Sequence, residues 1–317
     1  MGRWHLDASL KTGARVMAIA DPEESVARSL AGRCRGAIVF TDALTMLESV
    51  DLDVLHICSP LGTHADLTEA ALAGGVSVLV EKPLAPDLDT TLTLLDRASS
   101  ANLELAPVHQ FPFQRGFQTA RSSLARSGSL RHVEFCICSA GGVGQDEVGR
   151  RALAADVLPH PLSVTRALLA TDVAELGWRA ESPAAGELRL HARSNEVTLE
   201  VLISCASRPT ENSMRIRGDD GCWDVDFFHG YSYRTPGGVS RRRKISMPFE
   251  RAARSAGGAA MNLARRVANR EPAYPGLRSL VAEFHSSVRG ECAAPIPPSE
   301  IADLARTRDA ILSQVAL

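Results

Sequence analysis

Apolar and polar positions follow two different rhythms along the 317 residues. In the first hundred, short β-branched runs alternate with stretches of helical spacing. The runs "ARVMAIAD", "GAIVFTD", "DVLHICSP", "VSVLVEKP" and "NLELAPVH" are each bounded by turn or capping residues and predict five strands. Between them "PEESVARSLAGRC", "ALTMLESV", "HADLTEAALAGG" and "PDLDTTLTLLDRASSA" predict helices. In the third, Leu67, Ala70 and Ala71 recur at helical spacing, and Gly74-Gly75 stops the helix. Repeated strand-helix units imply a parallel sheet covered by helices on both faces, a doubly wound α/β domain.

From about residue 108 the pattern changes. "LRHVEFCICSA", "VAELGWRAES", "GELRLHARS", "EVTLEVLISCAS", "NSMRIRGDDG" and "CWDVDFFHGYSYR" follow one another with few helices between, several alternating apolar with polar. They predict a mainly antiparallel sheet with one open face. A helical block near 156–170, "DVLPHPLSVTRALLA", interrupts it. The tail predicts helices at "FERAARSAGGAAMNLARRVAN", "YPGLRSLVAEFHSSVRG" and "PPSEIADLARTRDAILSQV", the last entered through Pro297-Pro298-Ser299. Two domains are expected, 1–108 and 109–317, and an open apolar sheet face predicts a homo-oligomer.

Composition narrows the function without naming it. The chain is 45% hydrophobic with a formal charge of -2, so nothing global points to nucleic acid or an anionic membrane as partner. The basic run Arg241-Arg242-Arg243-Lys244 follows the turn-like Thr235-Pro236-Gly237-Gly238 and is expected in a solvated loop or strand end. No stretch approaches the roughly 18 apolar residues of a membrane helix, and no leader pattern opens the chain, so a cytoplasmic location is expected. Seven scattered cysteines without a CxxC pair disfavour disulfides and a structural metal; Cys136 and Cys138 are expected to face one side of a strand as buried thiols. Of thirty-five basic residues only Lys11, Lys82 and Lys244 are lysine. A lysine here invites a reason.

In an open α/β sheet, ligands lie beyond the carboxyl ends of the strands, so the residues that end each strand are the candidates. Asp21 ends the first and could accept the ribose hydroxyls of a dinucleotide; with Glu23 and Glu24 near and no adjacent Arg, NAD is favoured over NADP. As a plain turn or helix cap it would look the same. Ser59 and Pro60 lead into a helix start near Gly62-Thr63 whose amides could hold phosphate or ribose. His64 alone reads as a helix-surface histidine. Glu81-Lys82 ends the strand Val78-Leu79-Val80, and Pro83 favours an extended backbone at Lys82. An ammonium there has an adjustable proton, which a guanidinium lacks. In the second domain Asp156 and His160 are four apart, sharing a helix face if the first turn begins there; Pro159 and Pro161 suit a helix entry. A histidine beside a carboxylate can take a hydroxyl proton near neutral pH.

"SPLGTH", "EKPLA", "VHQFPFQRGF" and "DVLPH", in that order, resemble the glucose-fructose oxidoreductase, inositol dehydrogenase and MocA (Gfo/Idh/MocA) family, as does the tail "AYPGLRSLVAEF". The resemblance implies a dinucleotide-binding Rossmann domain and a substrate and oligomerisation domain. It also implies NAD(H)- or NADP(H)-dependent chemistry on a sugar, cyclitol or related polyol. By resemblance Lys82 approaches the nicotinamide and polarises the substrate oxygen, His160 is the acid/base with Asp156 its partner, and Lys82 and His160 meet at one substrate carbon. His109 and Gln110 lie by the sugar, with Arg115 a further substrate contact. Ser59, Pro60, His64 and Glu81 join Asp21 on the cofactor side. Leu61 and Leu158 depart from the family, where Asn and Gly are common. The opening "MGRWHL" resembles the family's G-x-G-x-x-G turn from its last glycine, so Gly2 is the third; the central strand before it is expected upstream of Met1, and the chain as it stands is expected to bind dinucleotide poorly. Two alternatives stay open: a cofactor-free binding or regulatory scaffold, and a redox-assisted elimination or glycosidic-cleavage enzyme.

Overall fold

The computed structural model describes residues 1–124, 129–238, 240–271 and 273–315. It forms two compact units, one of residues 1–109 with 277–305, the other of 110–276 with 306–317. Residues 277–305, placed by sequence in the second domain, therefore belong to the first. The cause is an amphipathic face: in helix α10 (Leu277–Val288), Leu277, Leu280, Val281, Phe284 and His285 are all buried. That face packs against helix α1 (Gly2–Lys11), whose His5, Leu6, Ala8 and Ser9 are buried in turn.

Every strand predicted in the first unit is present: β1 (Ala18–Ala20), β2 (Ile38–Phe40), β3 (Val54–Ile57), β4 (Ser77–Val80) and β5 (Leu105–Pro107). Between them lie α2 (Glu24–Ala31), α3 (Ala43–Ser49), α4 (His64–Ala73) and α5 (Leu88–Ser100). Caps explain two of the starts, since Asp42 and Asp87 accept the amides of Thr45 and Thr90. All pairings are parallel, but they fall into two sheets, β1-β2 and β3-β4-β5. Among the described residues no strand joins β1 to β3, the position where the sequence expects the central strand. β4 is buried along its whole length, as a strand covered on both faces should be.

The second unit is built on a seven-stranded sheet ordered β12-β11-β10-β6-β9-β8-β7. Its strands are β6 (Leu130–Cys138), β7 (Arg179–Glu181), β8 (Glu187–Ser194), β9 (Val197–Ser204), β10 (Glu211–Gly218), β11 (Gly221–Asp226) and β12 (Tyr231–Pro236). Only β6 and β9 pair in parallel; the other pairs are antiparallel. Helices α6 (Arg115–Leu124) and α7 (Glu147–Val157) were not anticipated, and α8 (Pro159–Leu169) and α11 (Pro298–Leu312) complete the expected ones.

Helix α9 (Arg241–Ala268) corrects the expectation of a loop at the basic run. Ser240 caps it by accepting the amide of Arg243, so the arginines open a helix that continues through Pro248. Cys136 and Cys138 do share a face of β6, with Sγ atoms 3.7 Å apart, but both are only half-buried. No helix among the described residues is long and apolar enough to cross a membrane.

Candidate functional site

The candidate residues fall in both units. In the first, the segment after β4 is tied down from several directions. The amide of Glu81 donates to the carbonyl of Ile57, and that of Val108 to the carbonyl of Val80, at 2.9 and 2.8 Å. Register therefore places Glu81 and Lys82 beside Val108 and His109. His109 is buried, and its Nδ1 has no hydrogen-bond partner among the described residues. Burial, then the positive charge of Lys82, hold its pKa down at about 3, so the ring is neutral at pH 7. A neutral imidazole with an idle nitrogen beside an ammonium can accept or donate one hydrogen bond without adding charge.

His64 is not on a helix surface. It is 1% exposed, and its Nδ1 and Nε2 lie 2.8 and 2.9 Å from the carbonyl oxygens of Pro83 and Ser59. It therefore joins the two turns that follow β3 and β4, a positioning role. His64→Ala is expected to cost about 2 kcal/mol in stability, because buried carbonyls lose their donor; the denaturant midpoint reads it. Ser59 Oγ is 2.6 Å from Thr63 Oγ1, and Pro60 precedes a 3₁₀ turn at Leu61–Thr63 that leads into α4. Asp21 ends β1 and accepts the amide of Glu23 at 2.9 Å, the local turn that its sequence also allowed. Gly2 opens α1; a Cβ there would meet Leu30 at an ordinary 3.8 Å.

Glu81 has a partner that the sequence did not suggest. Its Oε1 accepts from His5 Nε2 at 3.0 Å. Burial opposes a charge on His5, but Cys58 and Glu81 beside it prevail and push its pKa up to about 9.

In the second unit, Asp156 and His160 do not share one helix. Asp156 closes α7, and His160 is the second residue of α8, with the fully buried Leu158 as the joint. Leu158 keeps helical dihedrals, and Pro159 starts the new helix at a position where no amide is needed. His160 stacks on Phe111 at 4.2 Å between ring centroids, and Phe111 stacks on Phe227 at 5.1 Å. This aromatic pile fixes the imidazole plane.

His160 also lines a pocket of about 190 Å³ formed where β6, β9 and β10 end, with Ser139, Cys205, Glu211, Asn212 and Phe228 among its walls. The registers Cys138↔Ser204 and Cys138↔Glu211 bring these ends together. Asn212 Oδ1 is buried there without a hydrogen-bond partner among the described residues. Burial, followed by the charge of Asp156, raises the pKa of the Cys205 thiol, which places that carboxylate near the pocket wall. Gln110 is buried at the head of a 3₁₀ turn (Phe111–Phe113), and Arg115 is exposed at the start of α6. Neither lines this pocket. Among the described residues no cluster of His, Cys, Asp or Glu could hold a metal ion.

The family model "Oxidoreductase family, NAD-binding Rossmann fold" (Gfo/Idh/MocA) matches residues 1–109. Residues 1–109 thus carry the NAD-binding Rossmann fold of this family. Inositol 2-dehydrogenase 4 of Saccharopolyspora erythraea is 28% identical over 172 residues, 53% of this chain and 50% of that enzyme. The chain thus spans about half the length of that relative. The fold is shared with UDP-N-acetylglucosamine 3-dehydrogenase from Acidithiobacillus ferrooxidans, at a TM-score of 0.73 and 18% identity, covering 99% of this chain and 94% of that one. It is also shared with the WlbA dehydrogenase from Bordetella pertussis in complex with NADH and UDP-GlcNAcA, at 0.73 and 15%, covering 98% and 91%.

Proposed function

We propose that the protein is an NAD(H)-dependent dehydrogenase or reductase acting on a carbinol or carbonyl carbon of a sugar, cyclitol or related polyol. Lys82 carries the proposal: an ammonium at the carboxyl end of a buried parallel strand, beside a neutral buried imidazole, in the part of the chain that matches an NAD-binding family. The strand ends fit a dinucleotide. Asp21, the Ser59–His64 turn and Glu81-Lys82 all follow β1, β3 or β4, and His109 offers an idle nitrogen. Asp21 with Glu23 and Glu24 supports NAD over NADP, since a 2'-phosphate would meet three carboxylates.

When bound, nicotinamide supplies or accepts the hydride. Lys82 polarises the substrate oxygen, and His160 takes the hydroxyl proton on oxidation and returns it on reduction, with Asp156 supporting the charge that forms. His109 and Gln110 bind substrate hydroxyls, with Arg115 as an outer contact. The unpartnered Asn212 Oδ1 in the His160 pocket favours a hydroxyl donor as ligand, which supports a polyol. We place the protein in the cytoplasm as a homo-oligomer joined through the solvent-facing side of the second unit's sheet. On β8 and β9 that side carries Arg189, His191, Thr198 and Glu200, so the contact we place there is polar and not the apolar one the sequence pattern suggests.

The test is a panel of polyols and sugars read by nicotinamide absorbance, using the protein as encoded with any sequence upstream of Met1 included. At least one polyol should be turned over. His160→Asn should lower kcat by about 100-fold or more. No turnover across the panel, or an unchanged kcat in the variant, would overturn the proposal.

A further inference from the structure

Three histidines from three separate elements stand in line inside the first unit. Glu81 Oε1 faces His5 Nε2 at 3.0 Å, His5 Nδ1 faces His56 Nδ1 at 3.0 Å, and His56 Nε2 faces His285 Nε2 at 3.0 Å. His285 Nδ1 then reaches Thr12 Oγ1 at 3.3 Å, and that hydroxyl donates to the carbonyl of Ser9 at 2.9 Å. The rings meet edge to face, both pairs with centroids 5.2 Å apart.

Proton counting along this row fixes its net charge at one, and the Glu81 carboxylate beside His5 seats that charge on His5. A nitrogen facing a nitrogen needs one proton between them, no more and no fewer. Since Thr12 donates to Ser9, its oxygen accepts from His285 Nδ1–H. The other nitrogen of His285 then accepts from His56 Nε2–H, and His56 Nδ1 accepts from His5 Nδ1–H. His5 is left holding two protons, the second on Glu81. The row therefore carries one positive charge, seated against a carboxylate, and two neutral rings.

We propose that His5, His56 and His285 form a single-proton clamp that fixes α1 and α10 to β3 and grips Glu81, the residue before Lys82, and that a second proton opens it. With all acceptor nitrogens committed, another proton on His56 or His285 must set N–H against N–H, break a rung and place two imidazolium rings side by side.

The electrostatic surroundings agree with this count. His5 meets Cys58, Glu81 and His56, and the net effect raises it to about 9. Burial, then the charge of His5 and the neighbouring His285 ring, press His56 well below the ordinary range; burial, then Arg289, lowers His285. The signs give a window. The His5 contribution is complete below about 6.5 and fades as pH rises through about 9, whereas those of His56 and His285 are complete above about 6.5 and fade in acid. The clamp is therefore tightest near neutral pH.

Hydrogen exchange of the whole chain tests it without turnover, so its outcome is separate from that of the dehydrogenase proposal. Between about pH 7 and pH 5, after correction for intrinsic rates, amides of α1 and α10 should exchange about tenfold faster while those of β4 hold. His56→Leu should abolish that response. His285→Gln, at the outer end of the row, provides the same comparison should the first variant fail to fold. Equal protection of α1 and α10 at both pH values, or a folded variant that keeps the tenfold response, would overturn the clamp.

Discussion

Lys82→Met is expected to lower kcat/KM about a thousandfold, the middle of the range for losing a positioned proton-transfer group. Methionine keeps the length and apolar stem of lysine and removes the charge and its proton, so packing against the buried end of β4 changes little. His109 supplies an internal control. The Lys82 charge is the second cause of its depressed pKa, after burial, so removing that charge should let His109 rise while burial keeps it low. A variant with normal denaturant stability, a collapsed rate and a partly relaxed His109 titration separates lost chemistry from lost fold. Retained turnover would remove Lys82 from the reaction.

Phe227→Ala is expected to destabilise the second unit by about 3–5 kcal/mol, the usual cost of emptying a buried aromatic site. Phe227 is 2% exposed and forms the hub of an aromatic cluster. Its ring lies 5.1 Å from Phe111, 5.6 Å from Phe135 and 6.1 Å from Phe117. Domain stabilities are only about 5–15 kcal/mol, so one such loss is a large share. Because Phe111 in turn stacks on His160, the same change should also loosen the imidazole and lower kcat in whatever fraction stays folded. Phe227→Leu, which fills more of the site, should recover more than half of the stability. An alanine variant that loses less than about 1 kcal/mol would show that the cluster is not the core of this unit.

Local pattern made most of the fold legible. The five strands of the first unit lie inside the five apolar runs that announced them, and Gly74 ends α4 as expected. The misses have local reasons too. Helix α7 carries Gly149 and a polar first turn that hid its periodicity, although Asp146, whose side chain accepts the amide of Gly149, was a readable cap. The first turns of helix α9 were obscured by Pro248, which looks like a boundary but sits inside the helix, whereas the part from Phe249 onward was predicted. The assignment of α10 to the first unit depends on which partner its apolar face finds, and no local signal states that.

The candidate site was legible where chemistry coincides with a strand end. Lys82 stood out because this chain writes arginine almost everywhere else, and Asp156 and His160 because two prolines mark the helix entry. Glu211 and Asn212 were invisible, since only the register of β10 on β6 brings them to His160. The same holds for His5, His56 and His285. Each is unremarkable in its own segment, and only packing lines them up.

Transfer of isotope from cofactor to substrate tests the central claim most directly. NADH carrying deuterium at nicotinamide C4 is incubated with the encoded protein and a panel of keto-sugars and keto-cyclitols, and the products are read by mass spectrometry. One product should gain deuterium at a carbinol carbon as the cofactor loses it, with no transfer by the Lys82→Met variant. Label that stays on the nicotinamide with every compound in the panel would contradict hydride transfer by this protein.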